Sequence, residues 1–163
     1  MYQNNYLVKL IIMLVFLTTI TSCLSVAKLS DFPKTSTAID FDKYSREYHE
    51  LKSPYWTSEN ASEYYFERDT IITNKELTDY IKQTLVALGY SITSNDYEDD
   101  FIRGSRNMTT REWGSITTVY YKLDYDKNKL QVYILTEITQ DISGGRAENR
   151  AKTVGKVIEK LID

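Results

Sequence analysis

The sequence contains one cysteine and one histidine in 163 residues, and this scarcity limits its chemistry. A single cysteine cannot form a disulfide within the chain. A hydrolytic triad usually takes histidine as its base, and zinc sites take several cysteine or histidine ligands. The only histidine, His49, lies in a polar stretch outside the regular part of the chain, where no site would be preorganised. We therefore expect no enzymatic activity, no metal and no cofactor.

Excess positive charge is also lacking. The chain has 20 Lys and Arg against 23 Asp and Glu, a formal net charge of −3 at pH 7. A nucleic-acid-binding protein needs a basic face. We expect no nucleic-acid partner, and the even mixture of signs is typical of a solvated surface.

The amino-terminal segment has no apolar run long enough to cross a membrane. The run from Leu10 to Ile20 has 11 residues, whereas a membrane-spanning helix needs about 20. A run of this length behind a short segment that carries Lys9 is typical of a secretory signal. We predict that residues 1–22 are a signal peptide.

Cys23 stands directly after that segment, in Ile20-Thr21-Ser22-Cys23. This pattern of an aliphatic residue, two small residues and a cysteine resembles the lipobox of bacterial lipoproteins. The resemblance implies that the thiol receives a diacylglyceryl group, that cleavage occurs just before Cys23, and that the new amino terminus can be acylated. Two or three acyl chains hold a protein at a bilayer more firmly than one. The alternative is a signal anchor followed by a buried free cysteine.

The residue after the cysteine bears on location. Leu24 stands where some Gram-negative lineages place an aspartate that retains lipoproteins at the inner membrane. The resemblance therefore implies a cell-envelope protein anchored by lipid on Cys23 in the outer membrane and facing the periplasm. A Gram-positive plasma membrane stays open as the alternative.

The mature chain divides near residue 58. We predict that residues 23–58 are the lipidated cysteine and a polar tether, and that residues 59–163 form one domain. Within the tether, Phe41, Tyr44, Tyr48 and Leu51 recur at the spacing of a helix, whereas residues 39–44 also alternate as a strand does. The sequence leaves the conformation of residues 39–52 open.

The domain begins with a strand and a helix. Residues 63–72 are a run of aromatic and β-branched residues that favours a strand. Thr73 and Glu76 then have the spacing of a capping box, and Gly89 stands where a left-handed helix end is expected. The apolar stripe of this helix consists of Leu77, Ile81, Leu85 and Leu88.

Four more strands and a last helix follow. Four runs separated by turn-like stretches predict an antiparallel meander, at residues 90–93, 100–108, 115–125 and 129–139. The final helix has an apolar stripe of Ala147, Ala151, Val154, Ile158 and Leu161, with Gly155 as a mild local cost. The predicted fold class is α+β, a single antiparallel sheet of about five strands in the order β-α-β-β-β-β-α with two helices packed on one face.

This order is similar to a helix-grip arrangement. It resembles small lipid-anchored domains of Gram-negative envelopes, including those of the accessory lipoprotein C of the outer-membrane barrel assembly machine, in which a helix ending in Leu-Gly-aromatic leads to a strand pair. The corresponding residues here are ALGYSI at 87–92 and IRGSR at 102–106. The resemblance covers about residues 62–163 and implies no functional residue.

Short motifs elsewhere have ordinary explanations. Ser25 and Lys28 match S-x-x-K of serine enzymes that recognise penicillin, but the companion motifs are missing. Asp124, Asp126 and Asn128 fit the start of a calcium loop whose later positions do not match, so a hairpin turn is favoured. The acidic loop at 96–100 is typical of a hydrated hairpin end. Residues 143–146, Ser-Gly-Gly-Arg, have the donors of an anion site, although every helix start has such donors.

The remaining signal is tyrosine. Six tyrosines lie on predicted strands: Tyr64, Tyr65, Tyr120, Tyr121, Tyr125 and Tyr133. Neighbouring residues of a strand point to opposite faces, so one of each pair points away from the helices and suits recognition of an envelope protein or a glycan. Strand propensity alone also enriches tyrosine. We expect a non-enzymatic binding module that uses this open sheet face, or alternatively a carrier of a small apolar or glycan ligand between sheet and helices.

Overall fold

The computed structural model describes residues 32–47, 61–96, 100–107, 112–141 and 147–163. These residues form five antiparallel strands, three α-helices and a short 3-10 turn at Ser36–Ala38. The helices are α1, Phe41–Glu47; α2, Asn74–Ala87; and α3, Ala147–Ile162. The strands are β1, Ala61–Asp69; β2, Ser91–Asp96; β3, Phe101–Arg106; β4, Glu112–Asp124; and β5, Lys129–Asp141.

One sheet contains all five strands, in the spatial order β1-β5-β4-β3-β2. Strands β2 to β5 form a meander, and β1 lies antiparallel to β5 at the edge. Helices α2 and α3 pack together on the sheet, α3 over β1 and β5 and α2 over β2 and β3. The predicted α+β class and the order β-α-β-β-β-β-α are confirmed.

Helix α2 begins and ends as the sequence predicts. The Thr73 hydroxyl accepts a hydrogen bond from the Glu76 backbone N–H, and the Glu76 carboxylate accepts one from the Thr73 backbone N–H, which completes the capping box. Gly89 has a φ of +84°, a left-handed conformation that favours glycine. Leu77, Ile81 and Leu85 are fully buried against the sheet. The helix is therefore fixed by its caps and by one apolar face.

Helix α3 lies close to the sheet because Gly155 has no side chain. A Cβ atom at this position would overlap the ring of Tyr64 on β1 and contact Ile134 on β5. Ala151, Val154 and Ile158 are fully buried on the same side of the helix. The glycine therefore serves packing, and its effect is larger than the mild local cost that the sequence predicts.

Residues 32–47 cover the opposite face of the sheet, and we call them the cover segment. Four of their apolar side chains are at most 5% exposed: Phe32, Ile39, Phe41 and Tyr44. They form a second core with side chains of the sheet. Of the two conformations left open for residues 39–52, helix is correct at Phe41–Glu47, and residues 48–52 lie outside the described residues.

The cover segment changes two expectations. It belongs to the stretch predicted to be a polar tether, but its apolar residues pack on the domain that was predicted to begin at residue 59. The sheet face that the sequence left open is therefore occupied, over the described residues, by the chain itself. The described residues also contain no helix that is long and apolar enough to span a membrane.

Candidate functional site

The predicted recognition surface is a row of aromatic side chains on the covered face. Tyr65, Tyr133, Tyr120 and Phe101 lie directly opposite one another on the adjacent strands β1, β5, β4 and β3. All four side chains are buried, at 5% exposure or less. The expectation that tyrosines of this face are exposed for binding is therefore wrong, because the cover segment lies on them.

The contacts of the cover segment are both apolar and polar. The ring of Tyr44 lies 4.5 Å from that of Tyr133, centroid to centroid. The Tyr120 hydroxyl donates a hydrogen bond of 2.6 Å to the Pro33 carbonyl oxygen, and the Arg103 guanidinium lies 5.4 Å above the Phe32 ring. Aromatic packing and hydrogen bonds of this kind fix the segment in one position.

A cluster of hydrogen bonds around Glu67 joins helix α1 to the sheet. The carboxylate accepts hydrogen bonds from the hydroxyls of Ser45, at 2.9 Å, and Tyr65, at 3.0 Å, and pairs with the Lys129 ammonium at 3.0 Å. Burial by itself would raise the pKa of Glu67, but these three donors outweigh it, so the pKa is lowered. Glu67 is therefore an ionised structural carboxylate rather than a proton donor.

The buried tyrosines are equally unsuited to proton transfer near neutral pH. Burial raises the pKa of Tyr65 and of Tyr120 from 10.0 to about 12. Burial, together with the negative charge of Glu63, raises the pKa of Tyr133 well above its ordinary value. A general base should have a pKa near the working pH. These phenols stay protonated and act as packing and hydrogen-bonding groups.

The outer side of α3 carries a row of three lysines that the sequence motifs did not indicate as a site. Lys152, Lys156 and Lys160 occur at intervals of four residues, so they lie on one side of the helix, and all are exposed. They line an open groove of about 450 Å³ with Thr153 and Val157. We call this surface the lysine row. Its spacing of i, i+4 and i+8 was visible in the sequence.

One carboxylate lies under the lysine row. Glu159 is 5% exposed and accepts hydrogen bonds from Arg68 at 2.9 Å, Lys156 at 2.7 Å and the Tyr64 hydroxyl at 3.1 Å. Its hydrogen bond raises the pKa of Lys156 further above the ordinary value, so this lysine stays charged. Glu159 therefore offsets the charge of Lys156, and Lys152 and Lys160 supply the remaining positive charge of the row.

A second surface lies where the β4–β5 hairpin meets the loop between β1 and α2, and we call it the hairpin end. Ile71 is 90% exposed there and Tyr125 is 64% exposed. Both line a cleft of about 150 Å³ whose floor includes Ile72 and Leu123. Single exposed apolar side chains are common on proteins, whereas these two lie together beside one cleft.

The helix cap explains why Ile71 is exposed. Thr73 is the N-cap of α2, so Ile72 and Leu77 occupy the two positions of a hydrophobic staple, and both belong to the main core. Ile71 precedes this staple and turns outward. The adjacent pair of isoleucines before a capping box is therefore the sequence signal that would have indicated this surface.

An acidic cleft of about 320 Å³ lies between the cover segment and the end of the sheet that carries the hairpin end. Its lining includes Asp40, Asp42, Asp100 and Lys122. Asp40 is already used, because its carboxylate caps α1 by accepting a 2.9 Å hydrogen bond from the Lys43 backbone N–H. Within the part of the chain that the structure describes, no three acidic, histidine or cysteine side chains are placed to hold a metal ion.

The other residues singled out in the sequence divide into two groups. Asp124 and Asn128 lie in the β4–β5 turn, where the Asp124 carboxylate accepts a hydrogen bond from the Lys127 backbone N–H and Asn128 has a φ of +52°. The predicted hairpin turn is confirmed. The remaining candidates lie outside the described residues: Cys23, Ser25, Lys28, His49 and residues 143–146. Of the acidic loop at 96–100, only Asp96 and Asp100 are described.

Neither the protein-family models nor the curated proteins compared with this chain give a match. The fold alone defines the class of this protein. It is an α+β domain with a five-stranded antiparallel sheet, two helices on one face and the cover segment on the other.

Proposed function

We propose that this protein is a lipid-anchored component of the bacterial cell envelope, held in the outer membrane through acyl chains on Cys23 and facing the periplasm. Its domain is a non-enzymatic module that binds another envelope protein. Support for the anchor comes from the pattern Ile20-Thr21-Ser22-Cys23 behind a short apolar run. Support for a binding role comes from the hairpin end.

The position of the cover segment makes the proposed tether short. Eight residues, 24–31, separate Cys23 from Phe32, the first described residue that packs on the sheet. A chain of this length reaches at most about 30 Å when fully extended, and about 15–18 Å on average if flexible. The domain would therefore work close to the bilayer, unlike a domain on the 36-residue tether that the sequence predicts.

The observation that carries the binding role is the exposure of Ile71 and Tyr125 around one cleft. Interface hot spots are enriched in tyrosine, and they lie beside pockets that accept a partner side chain. The cleft of about 150 Å³ is smaller than the roughly 300–1,000 Å³ of small-molecule sites. Its size suits one or two side chains of a partner protein.

Site-specific photocrosslinking in cells tests this role. A photoreactive residue at position 125 should give one discrete crosslinked species, and Ile71→Ser should abolish it by removing the exposed apolar side chain on the other side of the cleft. The matched control is position 86, since Val86 is also a large exposed apolar residue, at 60%, but lies near the other end of α2. Equal crosslinking at positions 125 and 86, or a species indifferent to Ile71→Ser, would count against the hairpin end as a binding surface.

The alternative of a ligand carrier stays a prediction, and the packing gives it less support. The side chains between the sheet and the helices are fully buried and in contact, among them Leu77, Ile81, Val119 and Ile134. The acidic cleft is large enough for a small ligand, but its charged lining does not suit an apolar one. Native mass spectrometry of protein taken from its own envelope should show a bound mass if it is a carrier.

A further inference from the structure

The lysine row is a local excess of positive charge on a protein that is acidic overall. The chain has a net charge of −3, yet three exposed lysines follow one another along the solvent side of α3. Asp163, at the end of the helix, pairs with Arg68 at 3.4 Å, and Glu159 points inward. Since Lys156 is paired with Glu159, the positive charge of the outward surface of α3 comes mainly from Lys152 and Lys160.

Apolar side chains flank the lysines on the same helix. Val157 is half-buried, and Leu161 is 41% exposed. A helix with lysines and adjacent aliphatic groups on its outer side matches the surface of a membrane interface, where lysine stems cover apolar surface and their charges reach phosphate groups. A flat row suits a flat anionic surface better than it suits a single small anion.

The proposed tether is long enough to bring this surface to the membrane. The cover segment, where the tether would begin, lies on the face of the sheet opposite to α3. The layer between the sheet and the lysines is one helix, about 10–12 Å in diameter. The path starts near β3 and β4, where Pro33 accepts from Tyr120, and also passes the cover layer and the sheet. The nine Cα–Cα steps from Cys23 to Phe32 span at most about 30 Å, so α3 reaches the headgroups with the tether nearly fully extended.

We propose that the lysine row docks the domain on the anionic phospholipid surface of the bilayer that carries its lipid anchor. This inference rests on the anchor proposed above and adds an orientation to it. Helix α3 runs alongside β1: Ser62 accepts a hydrogen bond from the Ala151 backbone N–H, and Arg68, near the other end of the strand, pairs with Glu159. When α3 lies along the membrane, the strands therefore also run roughly along it. The hairpin end then points sideways, where a membrane-associated partner can reach it.

The test measures how fast individual lysines react with a membrane-impermeant amine reagent. The lipidated full-length mature chain, extracted in detergent, is added to phosphatidylcholine vesicles and to vesicles in which a third of the lipid is phosphatidylglycerol. Mass spectrometry reads each lysine separately. Lys34, on the cover segment, and Lys127, in the hairpin, serve as internal references because both are exposed on other faces.

Docking predicts that Lys152, Lys156 and Lys160 react at least about fivefold more slowly on the anionic vesicles than on the neutral ones, with Lys34 and Lys127 unchanged. High salt should remove the difference, because it screens surface charge. In a Lys152→Gln, Lys160→Gln double variant, which keeps the pair between Lys156 and Glu159, the protection of Lys156 should be lost.

Equal rates on the two kinds of vesicle, or protection of Lys34 and Lys127 in place of the lysine row, would overturn the proposal. The intact mass of the same sample reports the anchor separately. A chain without acyl mass contradicts the proposed function, whereas an acylated chain whose lysines react equally contradicts only the docking.

Discussion

The rings of Tyr44 and Tyr133 lie 4.5 Å apart, and this contact joins the cover segment to the centre of the sheet. Tyr133 belongs to the row of four aromatic side chains, and Tyr44 also lies 6.0 Å from Tyr65 in the same row. A segment that follows the proposed lipid anchor is therefore part of the folded domain. The cover segment, which this contact helps to hold on the sheet, limits the length of the proposed tether and determines which surfaces remain for partners.

The first prediction concerns this contact. Tyr44→Ala should lower the free energy of unfolding by about 3 kcal/mol, since it removes a fully buried aromatic side chain and leaves a cavity on the sheet. Urea denaturation measures the change. The matched control is Tyr125→Ala, which should change stability by no more than about 0.5 kcal/mol because Tyr125 is exposed. Equal, small effects of the two substitutions would show that the cover segment contributes nothing to the fold.

The second prediction concerns the close approach of α3 to the sheet. Replacing glycine by alanine in a helix normally stabilises it by about 1 kcal/mol. At Gly155 the new methyl group would overlap the ring of Tyr64, so Gly155→Ala should instead destabilise the protein by about 1–3 kcal/mol. Thermal unfolding gives the sign directly. Thr153→Ala, on the exposed side of the same helix, serves as control and should be neutral or slightly stabilising, and a stabilising Gly155→Ala would refute the packing described here.

The third prediction concerns alkaline pH. Burial raises the pKa of Tyr65 and Tyr120 to about 12, whereas these phenols ionise near 10.0 in the unfolded chain. Their contribution to stability is therefore complete below pH 10 and is lost as the pH rises from 10 toward 12. The loss can reach about 3 kcal/mol for each group.

Urea denaturation at pH values on either side of 10 tests this prediction, with absorbance of the phenolate as a second signal. Tyr120→Phe has no hydroxyl at that position, so its stability should fall less steeply above pH 10 than that of the parent. If parent and variant lose stability in parallel, the buried hydroxyl of Tyr120 is not responsible.

The regular elements were accessible from the sequence because local signals agree there. The capping box of Thr73 and Glu76, the stripe of Leu77, Ile81 and Leu85, and the alternation along β4 and β5 each point to one structure. The fold class follows from the order of these elements. Strand pairing between β1 and β5, which are distant in the chain, follows from no local signal.

The packing of the cover segment on the sheet was missed because its apolar residues are few. Phe32, Ile39, Phe41 and Tyr44 stand among charged and hydroxyl residues, a composition that resembles a tether. Their burial depends on the complementary aromatic row, which only the assembled sheet provides. The same long-range packing converted the predicted binding face into a second core, and it left the hairpin end and the lysine row as the surfaces that carry the proposals.

The anchor on Cys23 is the central claim, and the mass of the mature protein taken from bacterial membranes tests it most directly. The account predicts a chain that begins at Cys23 and carries the added mass of two or three acyl chains, and it predicts that Cys23→Ala leaves the membrane fraction. A chain recovered with an unmodified thiol at Cys23, or a Cys23→Ala variant that stays as firmly membrane-bound as its parent, would contradict it.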